Sequence, residues 1–334
     1  MDETYIAVRC HGLVTHLLPR DVLGALASAK GLQDLTSILT PTDYGHRIVG
    51  LEKVDAQALE EAFNQVLAER FRYLVKLAPE NLEGFMEAYA RRLEVRNLSR
   101  LLRGKYSAAS PGEIGAWLTP LSGLSRLNWD ALLEAESLER AVGLLKGTFY
   151  EGLGGYVEPC SAYGSILPME YALKRMYYMG VLDHAERLPS ESREAILPLI
   201  GLEVDLANVS ASLAPLVYGY SEDLTVQLLI PYHHRVSGSK LVEAVRAKSS
   251  QAALDALTPY NRVVEQILAG RDDLAEAEGL KILREEAEHA MRGSPIELPY
   301  TLGYLILCEL ECRDLSFIAV AVEHGVSPGG YLSV

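Results

Sequence analysis

Apolar residues recur at three- and four-residue spacing along most of this chain, the spacing that lines one face of a helix. The run from Asn81 to Arg103 shows it most clearly. Strict alternation of apolar and polar positions, the mark of a half-buried strand, is scarce. Two helix starts are written locally. Ser110-Pro111-Gly112-Glu113 and Ser294-Pro295-Ile296-Glu297 each place Ser at the N-cap, Pro at the first helical position and Glu at the third. In such a capping box the Ser oxygen and the Glu carboxylate satisfy backbone N–H groups that the first turn leaves without partners. These patterns predict an all-α fold.

The chain also resembles itself. Glu94-Val95-Arg96-Asn97-Leu98-Ser99 returns as Asp205-Leu206-Ala207-Asn208-Val209-Ser210 and as Glu311-Cys312-Arg313-Asp314-Leu315-Ser316, at offsets of 111 and 106 residues. The common pattern is acid-x-x-(Asn/Asp)-(Leu/Val)-Ser. A second segment keeps nearly the same period. Ala29 to Tyr44 aligns without gaps to Ala135 to Tyr150, sharing Leu32/Leu138, Leu39/Leu145, Thr42/Thr148 and the closing Tyr, and Ala247 to Pro259 matches again at Ala-Lys and Leu-Thr-Pro. Two motifs in one order, three times over, predict three similar helical domains: residues 1–110, 111–222 and 223–334. Units of about 110 residues exceed solenoid repeats and can each hold a small core. Three such units can close around a pseudo-threefold axis and leave a central space.

On a wheel of about 100° per residue, Met86, Ala90, Leu93, Asn97 and Leu101 share an arc, and Glu94 falls on its apolar side. In the second copy Asp205 and Asn208 border a stripe of Leu202, Leu206, Val209, Leu213 and Leu216. A buried carboxylate or amide needs partners, because leaving either unpaired costs a few kcal/mol. The motif residues, Glu311 and Asp314 included, are therefore either a fold-defining hydrogen-bond set made three times or the wall of a cavity that grips another subunit. The first copy adds Arg92, Arg96, Arg100 and Arg103 at i, i+4, i+8 and i+11, with Arg91 and Lys105 close by. That strip reads as a solvated face, an electrostatic docking strip or a seam between repeats, arginine's planar fork of donors suiting the last two.

Charge narrows the partners. With 31 basic and 45 acidic residues the chain carries a net charge of −14, which argues against nucleic acid, whose phosphates need a concentrated basic surface. The longest apolar candidate, Leu298 to Cys308, is bounded by Glu297 and Glu309 and falls short of the ~20 residues that cross a bilayer. The opening Met1-Asp2-Glu3-Thr4 is acidic where a signal peptide would be basic. A cytoplasmic protein, peripheral on a membrane complex at most, is expected.

Signals for chemistry are poor. There is no G-x-x-x-x-G-K-(Ser/Thr), G-x-G-x-x-G or G-x-S-x-G, so no catalytic, cofactor-binding or metal residue is expected, and no small-molecule substrate. Glu286-x-x-His289 has the spacing of a di-iron ligand pair but lacks a second Glu-x-x-His. His233-His234 has no neighbouring third ligand. Cys10, Cys160, Cys308 and Cys312 form no C-x-x-C pair and are expected as buried, inert thiols.

The segment Tyr89-Ala-Arg-Arg-Leu-Glu-Val-Arg-Asn-Leu-Ser-Arg-Leu-Leu-Arg-Gly-Lys105 resembles the E-x-x-N-(Leu/Ile)-x-x-(Leu/Ile)-L-R-G-K signature of the C subunit of archaeal and bacterial V/A-type ATPases, a family related to the d subunit of the eukaryotic V-ATPase. Val8-Arg9-Cys10-His11-Gly12-Leu13 with Leu17-Leu18 is similar to that family's N-terminal motif, and Ser294-Pro295 leading to Glu311-x-x-Asp314-Leu315 to its final helix. The chain departs at Asp314, where Asn is usual, at Ala319 to His324, which lacks the L-R-G-K, and at Thr15-His16, where basic residues are common. The resemblance implies a funnel-shaped, pseudo-threefold, non-catalytic subunit without a nucleotide site, monomeric in isolation. It implies a socket that receives the rotating axle and rests on the membrane ring of H⁺- or Na⁺-carrying subunits, transmitting torque. A helical scaffold of another assembly and a helical enzyme are the rival readings, the latter disfavoured by the missing constellations.

Overall fold

The computed structural model describes residues 3–333, and every regular element among them is helical. Ser110 forms its capping box, its hydroxyl accepting from the Glu113 N–H while Glu113 reaches back to the Ser110 N–H. The Ser294 box does not form. Ser294 instead closes the preceding helix, Asp272–Gly293, through its N–H to the Ala290 carbonyl at 3.0 Å, and the last helix begins at Leu298 behind Glu297. Pro299 decides this. Were Pro295 the first helical residue, Pro299 would sit where its N–H is required, with its ring against the carbonyl four residues back, whereas within the first turn of a helix it is harmless. The Asn81–Arg103 run is likewise two helices, Glu80–Ala90 and Arg92–Tyr106, parted at Arg91.

The chain gathers into two units, one of Met1–Glu83, Leu188–Ile200 and Ala269–Val334, the other of Gly84–Arg187 and Gly201–Leu268. The first is built around Leu298–Glu323, which packs on Ala56–Leu77, Asp272–Gly293 and Glu3–Val14. That helix is apolar on nearly all sides, and its buried residues run from Leu298 through Ile318 to Ala321, as expected of a central helix enclosed by neighbours. The second unit packs Arg92–Tyr106 against Leu167–Ala185 and Leu138–Gly143. Its core includes Leu98, Leu101, Leu102, Ile114, Leu145, Tyr150 and Met169.

One stretch, Ser190–Tyr218, is long and apolar enough to cross a membrane by length and composition. It replaces Leu298–Cys308 as the leading candidate. Glu203 and Asp205 interrupt it in sequence, but each is matched by donors within the fold, and most of its apolar part is buried inside the protein. It is a core segment by that measure.

Candidate functional site

The repeated acids each accept a hydrogen bond from a buried tyrosine. Tyr150 donates to Glu94 Oε1 at 2.7 Å, Tyr260 to Asp205 Oδ2 at 2.9 Å, and Tyr44 to Glu311 Oε1 at 2.6 Å. Tyr44 and Tyr150 end the second repeated segment and Tyr260 follows its third copy, and before each a Thr two residues earlier tightens the turn. Thr42, Thr148 and Thr258 donate from their hydroxyls to the carbonyls of Leu39, Leu145 and Asp255. Tyr44 and Tyr150 donate their own N–H groups to the Thr42 and Thr148 hydroxyls at 3.3 and 3.1 Å. Each acid thus meets a tyrosine from a different predicted repeat: the first acid the second Tyr, the second acid the third, and the third acid the first.

The surroundings of the acids differ. Asp205, fully buried, also accepts the consecutive N–H groups of His234, Arg235 and Val236 at 3.2, 2.6 and 3.2 Å. Glu311 also takes the Leu18 N–H and the Arg70 guanidinium at 2.9 Å. Burial raises the Tyr44 hydroxyl well above its usual range, and the Glu311 charge beside it adds to the shift. Tyr150 moves the same way, burial first and Glu94 second. Both phenols therefore stay protonated and act as donors.

Three residues beyond each acid stands a clamp on a following backbone segment. Asn97 donates to the Thr119 carbonyl at 2.7 Å and accepts the Thr119 N–H at 3.0 Å. Asn208 does the same with Ile230, at 3.0 and 2.7 Å. A primary amide suits this because it offers a donor and an acceptor in one plane, matching a peptide unit's N–H and C=O. Asp314 has no donor in its ionised form. It accepts the Ser333 N–H at 2.9 Å and the Ser333 hydroxyl at 2.6 Å, while Arg284 Nε donates to the Ser333 carbonyl at 3.1 Å. The departure from Asn is accounted for: an acid and a base on two helices divide the work of one amide.

The L-R-G-K end of the first repeat is also structural. Leu101 and Leu102 are fully buried, Arg103 holds Glu170 at 2.7 Å, and Lys105 donates from Nζ to the Leu133 and Ala135 carbonyls. Gly104 is required by close approach, since a Cβ there would lie 2.6 Å from Ile114 Cγ1 and 3.2 Å from the Trp117 ring. The arginine strip does not behave as one face. Arg92 is buried against the Tyr89 ring, with Nη2 on both oxygens of Glu203 at 2.9 and 2.8 Å and Nε on the Tyr177 hydroxyl at 3.0 Å. Arg96 is half-buried, Arg100 donates to the Trp117 carbonyl at 2.7 Å, and Arg103 leaves 66% of its side chain exposed. Glu203 and Glu170, the partners of Arg92 and Arg103, both fall in the second predicted repeat.

The four cysteines are buried thiols outside any disulfide. Burial pushes the Cys10 and Cys308 thiols up to about 12. Among the described residues no three His, Cys, Asp or Glu side chains are grouped to hold a metal ion. The repeat signature had flagged the acids and amides, but not Tyr44, Tyr150 and Tyr260, Arg70, Arg284 or Glu203. Tyr44 and Tyr150 were discoverable, because the first two aligned segments end on them, whereas Tyr260 lies one residue past the third, whose Leu-Thr-Pro match sets it two residues out of register with Tyr44. The ionic partners carry no repeating signal.

Residues 6–329 match the family model for the ATP synthase (C/AC39) subunit. Along nearly its whole length the chain is similar to proteins named as the C subunit of A-type ATP synthases. Identity is 24% to that of Pyrococcus abyssi and 25% to that of Desulfurococcus sp., each covering 97% of this chain and 88% of the relative. For the protein of Methanocaldococcus jannaschii it is 22%, covering 97% and 84%.

Proposed function

The chain belongs to the ATP synthase (C/AC39) subunit family, and from that premise we propose that it is the non-catalytic central-stalk component of a rotary V/A-type ATPase. In this reading it works as a single copy at the cytoplasmic face of the membrane, joining the rotating axle to the ring of H⁺- or Na⁺-carrying subunits and passing torque between them. One observation carries the proposal: the family match spans residues 6–329 and includes the signature helix Arg92–Tyr106.

The internal construction agrees with a part that must transmit force without deforming. The acid–tyrosine bond and the backbone clamp are each made three times, and most of their charged members are buried. Charge-assisted bonds of this kind are about twice as strong as neutral ones. Because these groups face one another, a partner has to be met by other side chains. Arg103, largely exposed while it holds Glu170, is the member of the arginine strip best placed to meet an acidic partner.

The test is capture of the tagged full chain from gently solubilised native membranes. Recovery of the axle and ring subunits supports the proposal. Recovery of a different soluble assembly, without ring subunits, supports the helical-scaffold reading in its place. The isolated chain is expected not to bind ATP, and micromolar binding by calorimetry would contradict a non-catalytic role.

A further inference from the structure

The three corners where an acid meets a tyrosine are not alike in the residues beside them. Three residues before the acids stand Arg91, Leu202 and Cys308, and just before their tyrosines stand Phe149, Pro259 and Asp43. Leu202 and Cys308 are fully buried. Asp43 answers charges of its own unit, 2.7 Å from His16 Nδ1 and 3.5 Å from Arg70 Nη2. The Arg91 corner has no such closure. Its guanidinium lies over the Phe149 ring, 4.4 Å from the centroid, and forms no ion pair among the described residues. Glu94, the nearest acid in sequence, turns its carboxylate to the Tyr150 hydroxyl. Glu87, one turn earlier, gives Arg91 only its backbone carbonyl, at 3.1 Å.

Both members of the pair are held in place. Arg91 stands at the junction of Glu80–Ala90 and Arg92–Tyr106, its carbonyl accepting the Val95 N–H at 2.9 Å. Phe149 stands edge-on to Tyr150, ring centroids 5.1 Å apart. Its ring rests on Gly180, where a Cβ would come within 2.9 Å of the Phe149 Cζ and 3.7 Å of the Arg91 Nη1. A guanidinium fixed over a ring face keeps its N–H donors available, a planar fork that matches a carboxylate. Phe149 is 37% exposed and Met179, beside Gly180 on the same helix, 38% exposed, so apolar surface flanks the cation. Arginine and aromatic anchors of this kind carry much of the affinity of protein interfaces.

We propose that Arg91 and Phe149 form a receptor for a carboxylate on an acidic segment of the rotating axle. The proposal rests on the central-stalk reading above, and charge decides between the two partners that reading supplies. Cytoplasmic loops of membrane proteins are enriched in Lys and Arg. Such loops suit the acidic excess of this chain, net −14, but not an arginine without a counter-charge. The axle, a soluble part, is under no such bias. An Asp or Glu flanked by an apolar residue would set its oxygens on the guanidinium fork and its neighbour against Phe149. No counter-ion within the chain has to be displaced and both anchors are already ordered, so docking costs little reorganisation.

Binding of the full chain to the purified axle subunits, followed at low and at high salt, tests this. Arg91→Glu is expected to slow association roughly tenfold at low salt and to remove most of the salt dependence, since the attraction it reverses is screened over about 8 Å at physiological ionic strength. Arg91→Lys keeps the charge but not the fork, so it should associate like the parent and dissociate roughly fivefold faster or more. Arg246→Glu reverses an arginine that leaves 69% of its side chain exposed and should leave both rates unchanged. Capture of the membrane ring should be the same for Arg91→Glu as for the parent. Parent-like axle binding by Arg91→Glu overturns the proposal, as does an equal effect of Arg246→Glu or a loss of the ring instead of the axle. If Arg91→Glu does not fold, Arg91→Lys decides alone, and parent-like dissociation overturns the proposal. A parent chain that binds no axle refutes the central-stalk reading itself, and this inference with it.

Discussion

Replacing Asp205 by Asn tests whether the repeated acid holds the fold. Its Oδ1 accepts from the His234 N–H, and its Oδ2 accepts from Arg235, Val236 and the Tyr260 hydroxyl. Every neighbour is a donor. An asparagine must turn its NH₂ toward one side, and the less damaging choice faces His234 and strands that single N–H. An orphaned buried donor costs about 1–3 kcal/mol, and turning three charge-assisted bonds into neutral ones costs about 1 kcal/mol each. Since such terms are not strictly additive, the expected loss is about 3–5 kcal/mol. At roughly 2–4 °C per kcal/mol for a domain of this size, Tm should fall by roughly 10 °C. Tyr260→Phe removes one donor and leaves three backbone N–H groups on the carboxylate, so its loss should be roughly 1–2 kcal/mol. Thermal melting by circular dichroism, for both variants and their combination, reads these numbers. A D205N variant within about 2 °C of the parent, or a Y260F variant as costly as D205N, would refute the assignment of Asp205 as the pin of residues 234–236.

Three further outcomes follow from local geometry. Gly104→Ala drives a methyl into Ile114 and the Trp117 ring and should cost about 1–3 kcal/mol by overpacking, seen as a lower Tm; an unchanged Tm would mean the Ile114 side chain yields freely. Ala108 sits at φ 57° in the turn that closes Arg92–Tyr106, so Ala108→Gly should raise stability by roughly 0.5–1 kcal/mol, and a lower Tm would contradict that. Cys10 and Cys308, with pKa values raised by burial from 9.0 to about 12, should resist a thiolate-directed reagent at pH 8 until the protein is unfolded. The folded state holds their protons longer than the unfolded chain does. Their contribution to stability is therefore intact below about pH 9 and is lost as pH rises toward 12. Rapid native-state labelling of either thiol would contradict the burial.

The sequence by itself determined the helical class, the period and the identity of the repeated acids and amides. Helix periodicity and capping are local, and a polar group on an apolar face declares that it needs a partner. The Ser294 box shows the limit of a local reading, since the competing signal was Pro299, only five residues on. What tertiary structure alone decided is who the partners are. Glu94 meets Tyr150, and Glu311 meets Tyr44 and Arg70, pairings across 56, 267 and 241 residues that no spacing rule encodes. Arg92 and Arg103 share a sequence strip, yet one is buried on Glu203 while the other stands mostly in solvent. The fate of Asp314 depended on an arginine from the preceding helix. Local patterns report which groups must be satisfied, because desolvation is a property of each group. Which donor arrives is settled by how the helices pack.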